Sequence, residues 1–261
     1  MQRSRISELT AEIFSRLSEQ CRAPTRAFFQ AMEEAAQNCS FVVEDLADLP
    51  AKEAKNVLTT SFAEKGPFSS SKLCGHPEHR EDETLGDYVD ELWSLYLPTS
   101  FGLVDKTGQL VAVSVMSDLY ESSRMDFQDI VARHENNYMD EIMMYLEHLT
   151  QKAAPLLPVC NCSGITLSRE MVGIKLDEFT PIENFYVMFL AVREQHERAK
   201  RHGYKFSVAE SAHPYSQALS THFSCEELFV DHPSQYINAQ GKKPFACMNR
   251  KIVVNYNLKK Y

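Results

Sequence analysis

Thr180, Pro181 and Glu183 mark the most explicit helix start in the chain, and a helix start of this kind can hold an anion. Threonine is a good N-cap, proline suits the first helical position, and a glutamate three residues after the threonine completes a Thr-x-x-Glu capping box. Where such a helix follows a strand, backbone N–H groups and the positive end of the helix dipole converge, a common physical solution for a pyrophosphate. The same residues serve equally as the cap of a structural helix that binds nothing. A second cluster, Cys74, His76, Glu78 and His79, offers soft and borderline metal ligands close together. Its spacing matches no standard zinc pattern, and a structural zinc needs four converging ligands, so no metal site is expected. Cys160-Asn161-Cys162 lacks the two-residue spacer of redox and zinc pairs.

The elements that must position the helix start alternate in type. Val172–Phe179 reads as a short strand, residues 181–202 as a strong helix, Tyr204–Ser211 as a second strand and His213–Phe223 as a second helix. Upstream, Ile6, Leu9, Ile13 and Leu17 give residues 4–20 one apolar helical face, Pro24 breaks it, and a further helix is predicted from about Thr25 to Ala36. A strand over Cys39–Leu46, a helix starting at Pro50 and a long turn-rich loop from Gly66 follow, then a helix carrying Leu85, Val89, Leu92, Trp93 and Tyr96. Ser100–Val104 and Gln109–Leu119 form a hairpin across a turn ending in Gly108. A helix, with a break near Glu135-Asn136-Asn137, runs to Pro155, and two strands near Cys225–His232 and Lys251–Leu258 close the chain. Strands alternating with helices predict an α/β sheet layered by helices. The expected organisation is a helical extension over residues 1–38 and one domain over 39–261.

Composition narrows the function classes. At 261 residues, 44% hydrophobic and 24% charged, the chain can bury one substantial core. A net charge of −9 argues against a general nucleic-acid or anionic-membrane binder, which needs a positive patch. The basic run Arg193, Arg198, Lys200, Arg201 and Lys205 reads as the solvated face of a helix. No apolar run approaches the ~20 residues that span a bilayer. The start, Met1–Thr10, lacks the apolar centre of a secretory signal, and seven scattered cysteines fit a reducing, cytoplasmic setting. Oligomeric state is not legible.

From about Cys39 to the C-terminus the chain resembles the GNAT superfamily of N-acetyltransferases, and within it the arylalkylamine (dopamine-type) N-acetyltransferases of insects and related invertebrates. The likeness is carried by FVVEDLADLPAKEAKNVLTTSFAEKGPF, by the hairpin SFGLVDKTGQLVAVSVMSDL, by GYKFSVAES with the following AHPYSQALSTHFSCEELF, and by QYINAQGKKPF. It implies a GNAT-like α/β fold: a mixed, mostly antiparallel sheet of six or seven strands, helices on both faces, and two strands splayed between Val172–Phe179 and Lys205–Glu210. It implies acetyl-CoA as co-substrate and a small, possibly arylalkyl, amine that attacks the thioester directly.

The resemblance also assigns residues. The cofactor would lie along Leu176, Glu178, Phe179, Thr180, Ile182, Glu183, Asn184, Tyr186 and Val187, with the backbone of Leu176–Thr180 bonding the pantetheine arm as an added strand would. Tyr215 takes the position of the tyrosine that protonates the departing thiolate, and Ser211 and Ser216 those of serines beside the thioester and amine. His213 lies close enough to relay protons. Two departures stand out. The family's phosphate loop is glycine-rich, because glycine lets the backbone approach a pyrophosphate closely, yet residues 183–188 contain no glycine and Tyr186 would stand in the way. A competing register over Glu170–Lys175 keeps Gly173 but would put the loop inside a strand. The family's glutamate base precedes a proline, and here Gly66 precedes Pro67, leaving Glu64 as the nearest substitute. The chain is therefore either an N-acetyltransferase or an inactive relative that binds a metabolite or a protein partner.

Overall fold

The computed structural model describes residues 26–37, 41–65, 68, 81–125, 137–158, 161–175 and 179–261. The elements are α1 (Arg26–Gln37), β1 (Val42–Asp45), α2 (Ala51–Lys65), α3 (Glu81–Tyr96), β2 (Phe101–Val104), β3 (Leu110–Asp118), α4 (Leu119–Ser123), α5 (Asn137–Ala153), β4 (Thr166–Ile174), α6 (Pro181–Arg201), β5 (Phe206–Ser211), α7 (Pro214–His222), β6 (Glu226–Asp231) and β7 (Val254–Lys260). The expected helix over residues 4–20 and the Cys74–His79 segment lie outside the described residues.

Seven strands form one sheet in the order β1-β2-β3-β4-β5-β7-β6. Every neighbouring pair is antiparallel except β4 and β5, which run parallel. One face carries α1, α6 and α7 over a core that includes Met32, Phe101, Met116, Leu167, Phe185, Phe189 and Leu219. The other face holds two clusters: α2 and α3 over β2 and β3, and α5 over β5 and β7. Helices on both faces of a mixed sheet are what the alternating pattern predicted.

Strand β4 departs from expectation. It spans Thr166–Ile174, earlier than the predicted Val172–Phe179. Arg169 hides its apolar alternation. This residue is 5% exposed on the α6 side, where its guanidinium donates to His196 Nε2 (3.2 Å). Burial and the Arg169 charge push His196 down to about 2, so the ring stays neutral. Its Nδ1 then donates to the Tyr261 hydroxyl (2.6 Å), which also meets Ser207 Oγ (2.8 Å). The buried chain of hydrogen bonds ties β4 and β5 to α6. The basic run is likewise not a solvated face throughout. Arg198 is 7% exposed, with Asp45 at 2.6 Å, Glu194 at 3.3 Å and the Phe101 ring at 4.9 Å.

Two local features set the shape of the middle of the sheet. Val115 opposes Met171 while Met116 opposes Arg169, so Glu170 is an extra residue in β4, a bulge that sharpens the local twist. Gly173 lets α2 lie against the strand, since a Cβ there would stand 2.8 Å from Leu58 Cα and 2.8 Å from the Val57 carbonyl oxygen. This close approach, not a phosphate loop, accounts for the glycine.

Candidate active site where two parallel strands part

Strands β4 and β5 pair only from Thr166–Phe206 to Arg169–Ala209. Beyond that point β4 continues along β3 as far as Ile174, and β5 continues along β7 through Glu210 and Ser211. The facing edges are left without a strand partner from Glu170 onward. The gap thus opens earlier in the chain than the expected Val172, and its free β4 edge is Glu170–Ile174. It lies at the carboxyl ends of the parallel pair, where α/β sheets place their ligands.

The gap has two unlike mouths. On the α2, α3 and α5 side the first unpaired residue of each strand is a glutamate, Glu170 and Glu210, set side by side at the seam between the two apolar clusters. Neither is closed off from solvent, yet both are enclosed by protein. Tyr96, itself 1% exposed, donates its hydroxyl to Glu170 Oε2 (2.7 Å), and Ser117 donates to Oε1. Burial pushes the Glu170 carboxyl up, and these two hydrogen bonds pull it part of the way back. Burial, and then the Glu170 charge, push Glu210 up to about 8. Among the described residues no cation pairs with either. Two enclosed carboxylates set side by side are a candidate place for a cationic group.

The other mouth lies between the starts of α6 and α7. Thr180 Oγ1 accepts from the Glu183 N–H (3.4 Å), and Glu183 Oε2 accepts from the Thr180 N–H (2.8 Å) and hydroxyl (2.9 Å), so the predicted capping box forms. Asn184 donates its backbone N–H to the Thr180 carbonyl (2.9 Å). Tyr215 opens α7 with its side chain 39% exposed and its ring 4.7 Å from Phe185 and 4.9 Å from His213.

Several predicted site residues turn out to hold the fold. Ser211 is 2% exposed, its hydroxyl 3.2 Å from Ser220 Oγ and 3.1 Å from the Asn257 amide that donates to it. Ser216 donates to the His213 carbonyl (2.8 Å), and His213 Nδ1 accepts from the Tyr215 N–H (3.1 Å), so this pair caps α7. Tyr186 and Val187 point into the core at 1% and 0% exposure, with Tyr186 stacked toward Phe189 (6.5 Å). The Tyr186 ring therefore does not stand in the path of a pyrophosphate. Phe179 is 9% exposed, Thr180 is exposed, and Ile182 and Asn184 are half-buried. Leu176 and Glu178 lie outside the described residues, as do Gly66, Pro67 and the Glu64 side chain, which belongs to the last turn of α2.

Glu170, Glu210, Tyr96 and Ser117 are not among the predicted site residues. A usable signal was present: Glu210 is a carboxylate inside the otherwise uncharged end of the β-type run Tyr204–Ser211. Glu170 was hidden because β4 was placed too late.

No protein-family model matches the sequence, nor does any curated protein. Solved structures do. The C-terminal condensation domain of Ebony, in complex with beta-alanyl-dopamine, matches with a TM-score of 0.65 at 17% identity, covering 80% of this chain and 93% of that one. A mosquito arylalkylamine N-acetyltransferase, like 5b, gives a TM-score of 0.64 at 14% identity over 85% of this chain and all (100%) of that one. The Drosophila melanogaster polyamine N-acetyltransferase, which forms N-acetylagmatine, gives 0.56 at 14% identity, with 85% and 100% covered. A mixed sheet with one parallel pair that parts, flanked by helices on both faces, is the GNAT-like fold that this chain shares with these N-acetyltransferase structures.

Proposed function

We propose that the protein is an N-acyltransferase that moves an acetyl group from a pantetheine thioester, the class to which acetyl-CoA belongs, to a small cationic amine. The observation that carries this is the Glu170–Glu210 pair at the parting of β4 and β5, and the fold likeness supports it. The acceptor ammonium sits between the two carboxylates. Glu170 is fixed by Tyr96 and Ser117, and Glu210, raised to about 8, is basic enough to take its proton. The freed amine attacks the thioester carbonyl carbon through the gap, a C–N bond forms, and the C–S bond breaks. Tyr215, on the other mouth, protonates the departing thiolate, and the second amine proton leaves to solvent. The base missing at Gly66 is in this reading supplied from the sheet.

Thiol release from an acetyl thioester, measured across a panel of alkyl and arylalkyl amines, tests the assignment. Glu210→Gln is expected to lower kcat/KM by about 10²-fold or more. The wild-type profile is expected to rise with pH through about 8, and that limb to move to lower pH in Glu170→Gln, since the Glu170 charge is one cause of the raised value. Full activity in Glu210→Gln would remove it from the reaction.

A further inference from the structure

We infer that the start of α6 does not seat the pyrophosphate of coenzyme A, and that among the described residues the thioester is held by its pantetheine arm alone. The inference rests on the acyl-transfer reading above and concerns the α6–α7 mouth of the same gap. A pyrophosphate at a helix start needs free backbone N–H groups. Here they are spent. Thr180 donates its N–H to Glu183, Pro181 has none, Glu183 donates to Thr180 Oγ1 and Asn184 to the Thr180 carbonyl, which leaves at most Ile182. The acceptor on the Thr180 N–H is itself an anion, the Glu183 side chain, 9% exposed. A polyphosphate would meet like charge where it needs donors.

The path onward from that point is also covered. Phe28 and Phe29 of α1 lie 5.5 Å and 6.1 Å from Phe185, whose other side meets Tyr215 at 4.7 Å. Phe29 stacks on His222 (4.2 Å), and Glu33 reaches His222 (3.2 Å) and Arg193 (3.6 Å). Aromatic contacts thus join α1 to Phe185 near the start of α6 and to His222 at the end of α7, and Phe185 in turn to Tyr215. The cations nearest in sequence are already engaged: Lys175 with Glu53 at 2.9 Å and Arg193 with Glu33. The free β4 edge, Glu170–Ile174, is untouched by any of this and can hydrogen-bond the two amides of a pantetheine arm as an added strand would.

Calorimetry on the full chain with coenzyme A and with pantetheine reads the inference directly. The two are expected to bind with Kd values within about tenfold of each other. S-acetylpantetheine and acetyl-CoA are expected to support acetyl transfer with kcat/KM values that close as well. Coenzyme A tighter by about tenfold or more, or no binding of pantetheine, overturns it. Equal binding of both without acetyl transfer to any amine leaves the inference standing and sinks the transferase reading instead.

Discussion

Two glutamates on neighbouring strands would ordinarily repel, and here that repulsion is useful. Glu170 has two hydroxyl donors that pull its raised carboxyl part of the way back, whereas Glu210 has none among the described residues and is pushed up to about 8. The raised value has a consequence for stability. In the unfolded chain a glutamate titrates near ~4.3, so between about pH 4.3 and 8 the folded protein binds the extra proton. Stability from that proton is fully present below the unfolded value and is lost as pH rises through the folded one. Thermal melts of Glu210→Gln should therefore gain on wild type across this window and hold the gain above it. Superimposable pH–Tm curves would mean Glu210 titrates normally. Tyr215 is the other residue with a definite expectation. Tyr215→Phe should lower kcat about 10²-fold without changing binding of the thioester, as loss of a general acid does. A change in binding with unchanged kcat would place the ring in a packing role beside Phe185.

At the scale of elements, the gap depends on how closely α2 lies against β4. Gly173 permits that approach, and the atoms a Cβ would strike are helix backbone, which has no rotamer to give. Gly173→Ala should cost about 1–3 kcal/mol through overpacking, read as a lower Tm, and should depress kcat by shifting the bulge at Glu170. Unchanged melting would show that the helix can slide away freely. The capping box at Thr180 and Glu183 illustrates how one device can be read two ways. In sequence it looks like a helix start ready for an anion; in the fold the Thr180 and Glu183 donors are taken up by each other's side chains.

In the proposed reaction the two substrates meet the sheet from opposite faces. The α6 and α7 side presents Tyr215, the α2, α3 and α5 side presents the carboxylate pair, and β4 and β5 part between them. With a net charge of −9 and the proposed acidic seat, the protein should draw a cationic acceptor by long-range attraction. Raising the salt from about 0.05 to 0.5 M should lower kcat/KM for cationic amines several-fold while leaving the value for an uncharged thioester unchanged. Equal sensitivity of both would argue against the carboxylate pair as the acceptor seat. No described helix is long and apolar enough to cross a membrane.

The sequence by itself determined the order of strands and helices, the hairpin at Gly108, the start of α6 at its capping box and the likeness to the acetyltransferase fold. These rest on local periodicity, turn chemistry and caps, which a linear reading can follow. It did not show which side chains meet where β4 and β5 part. Ser211, Ser216 and His213 have the right chemistry, but in three dimensions their polar atoms are taken up by Ser220, Asn257 and the cap of α7. Glu170 and Glu210 are 40 residues apart, read from their numbers, and come together only because β4 and β5 pair in parallel and then diverge. The register Arg169–Ala209, the bulge at Glu170 and the burial of Arg169 against His196 are all decided by contacts between distant segments. That is the physical reason the fold was legible in the chain and the pair of carboxylates was not.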